Sequence, residues 1–205
     1  MGQSKRYGRV EEGGESDREL VSRARVGDIE ALARLIERHQ DRLFNAMYRV
    51  VGHYEDAEEL TQEAFVRALR GLGRFRGSSG FYTWLFRIGM NLAINFRRRS
   101  RPVHFSALEA SSGSPGRQAA GLMDLLESPG AGPAGEAALR EQHRRVLSAL
   151  GELEPASRAV VVLRDIEGLG YGEIASILEL PLGTVKSRLS RARGAIRERL
   201  GEDGF

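Results

Sequence analysis

The chain has 205 residues, a net charge of only +3, 29% charged residues and no cysteine. This length accommodates one or two domains with real cores, and the lack of thiols excludes disulfides, a thiol nucleophile and zinc-finger ligands. No apolar run approaches a membrane span, and the polar start "MGQSKRYGRVEEGGES" is no signal peptide, so a cytoplasmic protein without membrane insertion is expected.

In chain order, helix signals dominate and strand signals are nearly absent. Residues 1–16 read as a disordered tail. Asp17 to Arg25 reads as a short helix ended by Gly27. Asp28 can cap a long helix to about Val51, with Leu32, Leu35, Ile36, Phe44, Met47, Tyr48 and Val51 apolar, and Gly52 stops it. A third helix runs from about Tyr54 to Arg70, with Ala57, Leu60, Ala64 and Ala68 on its buried edge. Glu59, Gln62, Glu63, Val66 and Arg70 point the other way. Five acids from Glu55 to Glu63, with no base between them, make an anionic face unsuited to DNA. Val66 among these polar groups speaks for a protein-binding face rather than a merely solvated one.

The fourth helix, Phe81 to about Arg99, presents Phe81, Trp84, Leu85, Ile88, Leu92 and Phe96 as its core face. Thr83, Phe86, Met90, Ile94 and Arg97 lie opposite, with Tyr82, Arg87 and Asn91 at the borders. Phe86, Met90 and Ile94 by themselves suit a second core contact. With Tyr82, Arg87, Asn91 and the basic end "FRRRSR", the helix also suits single-stranded nucleic acid, because rings stack on unpaired bases while Arg holds the backbone.

From Ser100 to about Gly135 the amphipathic period dissolves into "SSGSPGRQAAG" and "ESPGAGPAG", the composition of a flexible linker. A weak apolar patch, Leu122 to Leu126, sits inside it. Helices follow from about Glu136 to Leu150 and from Pro155 to Ile166. Next, "GLGYGEIASILELPLGTVKSRLSRARGAIRERL" supplies two helices joined by a short turn. Ile174, Ala175 and Leu178 face inward on the first and Val185 packs back from the second, a helix-turn-helix in which the second helix enters the major groove. "ELPLG" stands where a turn glycine is usual. On the second helix Val185, Leu189, Ala192, Ile196 and Leu200 form the buried face. Ser187, Ser190, Arg191 and Gly194 lie opposite, flanked by Lys186, Arg188, Arg193 and Arg197. Glu198 is the only acid from Leu182 to Leu200 against six basic residues, so the charge pattern favours DNA over a solvated face. The fold expectation is all-α: two small helical domains, 17–99 and 136–201, joined by a flexible linker, 100–135.

"DAEELTQEAFVRAL", then "RFRGSSGFYTWLFRIGMNLAINFRRR", a linker, and "LRDIEGLGYGEIASILELPLGTVKSRLSRAR" together resemble a sigma-70 family RNA polymerase sigma factor. The likeness is to the extracytoplasmic-function (ECF) subgroup, which keeps only the second and fourth conserved regions. The resemblance implies a transcription initiation factor whose partners are core RNA polymerase and promoter DNA, and it allows an anti-sigma protein as a further partner. By this resemblance Asp56, Glu59, Gln62 and Glu63 lie on the helix that docks to core polymerase, with Val66 beside them. Arg76, Tyr82, Thr83, Trp84, Arg87, Asn91, Arg97 and Arg98 belong to the surface that captures a flipped base of the −10 element, which supplies a pocket for an unstacked base. Thr184, Lys186, Ser187, Arg188, Ser190, Arg191 and Arg193 belong to the −35 contact in the major groove. The chain departs from its relatives at Gly77 to Gly80, where they often carry an acid and a polar residue before the aromatic pair.

Two rival readings are weaker. A stand-alone helix-turn-helix regulator leaves the acidic face and the Tyr-Trp-Asn-Arg helix unexplained. An enzyme lacks its motifs: there is no Walker loop, no G-x-S-x-G and no H-E-x-x-H. His39, His53, His104 and His143 are scattered without ligand spacing, so no metal, cofactor or catalytic residue is expected.

Overall fold

The computed structural model describes residues 15–99 and 145–200. The linker, the Leu122–Leu126 patch, most of the N-terminal tail and the start of the helix expected from Glu136 lie outside the described residues. Among the described residues the secondary structure is helical, with no strand. No helix there is long and apolar enough to cross a membrane.

The first half comprises α1 (Asp17–Ala24), α2 (Ile29–Val51), α3 (Tyr54–Gly71) and α4 (Phe81–Arg99). Local chemistry sets their ends. Ser16 and Glu19 form a capping box, the Glu19 carboxylate accepting the Ser16 backbone N–H at 2.7 Å. Asp28 Oδ1 accepts the Ala31 N–H at 3.1 Å and starts α2. Gly52 closes α2 at φ +92°, in the left-handed region open to glycine, and donates its N–H to the Tyr48 carbonyl at 2.7 Å. His39 is structural: Nε2 lies 2.9 Å from Asp17 Oδ2, tying α1 to α2.

Leu35, Leu43, Ala46, Met47 and Val50 carry the centre of the core on α2, and Ala57, Ala64, Phe65 and Ala68 carry it on α3. The expected apolar face of α2 is thus displaced: Leu32, Ile36, Phe44 and Tyr48 are its half-buried borders. α4 crosses α2 closely at Gly89, where an added Cβ would stand 2.8 Å from Leu43 Cδ1 and 3.1 Å from Met47 Sδ.

The second half comprises α5 (residues 145–151), α6 (Pro155–Val161), α7 (Tyr171–Leu178) and α8 (Leu182–Leu200). Pro155 takes the first turn of α6, capped by Glu154, whose carboxylate accepts the Ser157 N–H at 3.1 Å. At Val162–Ile166 the helix widens into a π-turn that carries Asp165 and leads into Glu167. α7 and α8 form the expected helix-turn-helix, with Ile174, Ile177, Leu178, Val185 and Leu189 buried. Glu179 fills the missing glycine's place at φ +54°, ending α7 in the left-handed conformation. Holding a non-glycine residue there costs roughly 1–2 kcal/mol. Glu179→Gly is therefore expected to stabilise the protein by about 1 kcal/mol in urea unfolding; a loss of stability would show that the carboxylate has a compensating contact.

The two halves are in direct contact. α4 packs against both α6 and α7, and buried side chains of both halves form one continuous core. At 100° per residue, the buried positions of α4 cover an arc of more than half its circumference. Gly89 marks the side toward α2, and Arg87, bonded to Ser176 of α7, marks the side toward the second half. This bears out Phe86, Met90 and Ile94 as a second core contact. All three are buried, the first two completely.

Candidate nucleic-acid and polymerase interface

α8 sets an apolar core face against a basic outer face. Its core face, Val185, Leu189, Ala192, Ile196 and Leu200, is buried as the pattern predicts. Lys186, Ser187, Ser190 and Arg191 stand exposed on the outer side, and Thr184 and Arg188 are half-buried at its rim. The Ser187 hydroxyl bonds back to the Thr184 carbonyl at 3.1 Å, and Arg191 Nε donates to the Ser187 carbonyl at 3.3 Å, so Arg191 lies along its own helix. Two cations are braced by carboxylates of the preceding helical segment. Arg188 Nη1 lies 3.5 Å from Glu154 Oε2, and Arg193 Nε donates to Asp165 Oδ2 at 3.1 Å. The Asp165 hydrogen bond holds the Arg193 guanidinium above its ordinary pKa. Lys186, Ser190 and Arg191 have no such tether among the described residues, which leaves a narrow stripe of small side chains between long cations. Such a stripe admits close approach to base edges while the cations reach phosphates.

α3 offers a different chemistry. Glu59, Gln62 and Val66 are exposed, and Glu63 pairs with Arg67 one turn on, Oε1 to Nε at 2.7 Å. Asp56 is half-buried near Arg97, whose guanidinium burial holds below its ordinary pKa while the Asp56 charge partly offsets this. An accessible acidic strip beside two exposed apolar residues, Val66 at 38% and Leu69 at 36% exposure, suits a basic protein surface and repels DNA.

The eight residues assigned to the −10 surface divide into two groups. Trp84 and Asn91 lie on the open side of α4, with Arg76 and Arg98 exposed near its two ends. Trp84 is positioned by Phe75, ring centroids 4.9 Å apart, and by Gly71, whose missing Cβ would come within 3.2 Å of the indole. The other four lie toward the second half or in the core. Tyr82 stacks under the Arg42 guanidinium at 4.1 Å and donates its hydroxyl to Glu167 Oε2 at 3.2 Å. Arg87 donates to Ser176 Oγ at 2.6 Å. Thr83 and Arg97 are buried. Burial above all, with the Glu167 charge beside it, pushes the Tyr82 hydroxyl pKa well up.

Glu167, Arg42 and Arg158 play parts that the sequence reading missed. Glu167 is only 7% exposed and accepts Arg42 Nε at 2.7 Å and the Tyr82 hydroxyl. Arg158 is fully buried and donates Nη1 to the Val50 carbonyl at 2.7 Å, tying α6 to the end of α2. Burial, and then the nearby Arg97 charge, pushes its pKa down to about 10. The available signal was "LRDIEG", a carboxylate set at the end of an apolar helix just before a glycine.

This arrangement matches known families in both halves. The sigma-70 region 2 model matches residues 35–103, and the sigma-70 region 4 model matches residues 143–196. The RNA polymerase sigma-H factor of Pseudomonas aeruginosa is 38% identical over 190 residues, which cover 91% of this chain and 94% of that protein. The chain belongs to the sigma-70 family. It falls in the ECF subgroup: the ECF RNA polymerase sigma-E factor of Escherichia coli K12 is 37% identical over 186 residues, covering 88% of this chain and 92% of its own. Among solved structures, CnrH in complex with the cytosolic domain of CnrY matches with a TM-score of 0.66 and 28% identity, over 92% of this chain and 99% of that one. The function is that of a sigma factor in transcription initiation, not that of a stand-alone regulator. In this sigma factor the acidic strip, the open side of α4 and the stripe on α8 are three separate surfaces with three different chemistries.

Proposed function

We propose that the three surfaces divide the work of initiation. α3, through Asp56, Glu59, Gln62, Glu63 and Val66, docks to core RNA polymerase. Arg76, Trp84, Asn91 and Arg98, joined by Tyr82, Thr83, Arg87 and Arg97 once the second half moves away, take up the −10 element and hold it open. Thr184, Lys186, Ser187, Arg188, Ser190, Arg191 and Arg193 read the −35 element from the major groove. Residues 17–99 form the first functional domain, 136–201 the second, and 100–135 the spacer. The factor acts in the cytoplasm without catalytic activity, metal or cofactor, and an anti-sigma protein is its natural antagonist, as CnrY is a bound partner of CnrH.

The single observation that carries this reading is the opposed charge of two exposed helix faces on one chain: acidic on α3, basic on α8. One suits a basic protein partner and the other suits DNA. The decisive experiment is run-off transcription with core polymerase on a promoter library, with sequencing of the enriched elements. Reversing Glu59 and Glu63 to Lys should weaken binding to core polymerase by at least about tenfold, roughly 1.4 kcal/mol. Helical content should stay intact, since both side chains face solvent. Unchanged affinity of a folded variant would remove α3 from the docking surface.

A further inference from the structure

We infer that Asp165 is a specificity-determining residue of this sigma factor, one that reads no base itself but holds Arg193 back from DNA of the wrong sequence. The inference deepens the −35 assignment proposed above and rests on it.

Three observations carry it. First, half of the cations on α8 are already paired. Of its six basic residues, Arg188, Arg193 and Arg199 meet Glu154, Asp165 and Glu152, while Lys186, Arg191 and Arg197 have no carboxylate partner among the described residues. All three acids come from the segment that precedes the helix-turn-helix.

Second, the Asp165 pair is a two-point contact. Arg193 Nε donates to Oδ2 at 3.1 Å, and Nη2 donates to Oδ1. A guanidinium carries five N–H donors in one plane. Engaging this edge leaves only the opposite one, Nη1 and the far side of Nη2, for DNA, and fixes its direction.

Third, Asp165 is held in place. It sits on the π-turn Val162–Ile166, where its neighbour Arg164 donates Nη1 to the Leu169 carbonyl at 2.8 Å and stacks on the Tyr171 ring at 4.7 Å. Lys186 Nζ of α8 lies over the same ring at 5.9 Å, so the turn is fixed beside the recognition helix. Asp165 is exposed and Arg193 half-buried, and an ion pair so open to water adds little to stability. Its effect falls on binding instead.

Non-specific binding is phosphate neutralisation with counterion release, and a cation held by its own carboxylate contributes little to it. To join a phosphate at an arbitrary register, Arg193 must leave Asp165 and set that acid against the DNA backbone, like charge against like. At the right register the free edge meets its acceptor with the side chain already ordered, which spares the entropy of fixing a long flexible chain. Asp165 therefore penalises wrong registers and spares the right one, and sequence preference is that difference.

The test compares full-length variants, each assembled with core polymerase, on two DNA fragments. One is a promoter recovered from the run-off library, and the other is the same fragment with its −35 element scrambled. Fluorescence anisotropy over a salt series gives affinity and salt slope for each. Asp165→Asn should tighten binding to the scrambled fragment about eightfold at about 0.1 M salt and steepen its slope by about 0.9, the signature of one added phosphate contact. Promoter affinity should not rise, so the preference falls by the same factor. Asp165→Glu should restore the parent behaviour. In an Arg193→Ala background Asp165→Asn should change nothing, because the acid acts through that side chain. Glu37→Gln, at an exposed site on α2, makes the same change in net charge and should leave both fragments at parent affinity. Equal tightening on both fragments, an unaltered slope, or an Asp165→Asn effect that survives Arg193→Ala would overturn the inference. Arg191→Ala separates it from the −35 assignment. A clear Arg191→Ala defect beside an inert Asp165→Asn strikes the inference alone. An Arg191→Ala chain that keeps its full promoter preference removes the −35 assignment, and this inference with it.

Discussion

Phe86→Ala is expected to lower the free energy of unfolding by about 3–5 kcal/mol, the largest single effect among these predictions. The ring is fully buried in α4, between the side that meets α2 and the side that meets the second half, with its centroid 4.2 Å from that of Tyr82. Truncation removes the ring's transfer free energy and leaves a cavity that a core braced by Leu43, Met47 and Leu85 cannot fully collapse. Domains of this size hold only about 5–15 kcal/mol in total, so the variant should unfold at markedly lower urea. The measurement also decides between two roles for the same side chain. A base-stacking Phe86 would cost under about 1 kcal/mol of stability on truncation and would instead impair promoter opening.

The second large effect is on DNA, and it should appear as two failures at different steps. Arg191 is exposed on the outer stripe of α8, so Arg191→Ala should weaken promoter binding by about 1–3 kcal/mol, roughly 5- to 150-fold, if the lost contact is bidentate to a base edge. Asn91 lies on the same open side of α4 as the positioned Trp84, about two turns along, so Asn91→Ala should leave −35 binding intact and impair melting. Permanganate reactivity on duplex and pre-melted templates separates them. A pre-melted −10 region should rescue Asn91→Ala and leave the Arg191→Ala binding defect in place; the reverse pattern would exchange the two assignments.

Several features of this protein were legible without coordinates because they are local. Asp28 and Gly52 mark the ends of α2 because a side-chain acceptor and a left-handed residue act within one turn. The buried face of α8 follows from helical spacing alone, since Val185, Leu189, Ala192, Ile196 and Leu200 need only one neighbour to cover them. The acidic face of α3 and the basic stripe of α8 were equally readable, because like charges gathered on one face stay in water whatever the rest of the chain does.

α4 shows where such reading stops. Its apolar residues run round more than half the helix, so periodicity alone could not say whether Phe86, Met90 and Ile94 meet protein or nucleic acid. That depended on another element arriving from more than 80 residues away, as the Arg87–Ser176 bond does. Glu167 was unreadable for the same reason: a buried charge is tolerable only beside partners, and its partners lie at Arg42 and Tyr82. By itself, then, the sequence determined the helices, their caps, the helix-turn-helix and the sign of each exposed face, all set by interactions within a few turns. Only the tertiary structure decided which side of α4 remains open and that the two halves share a core, because long-range packing and the pairing of buried charges depend on partners that no local pattern names.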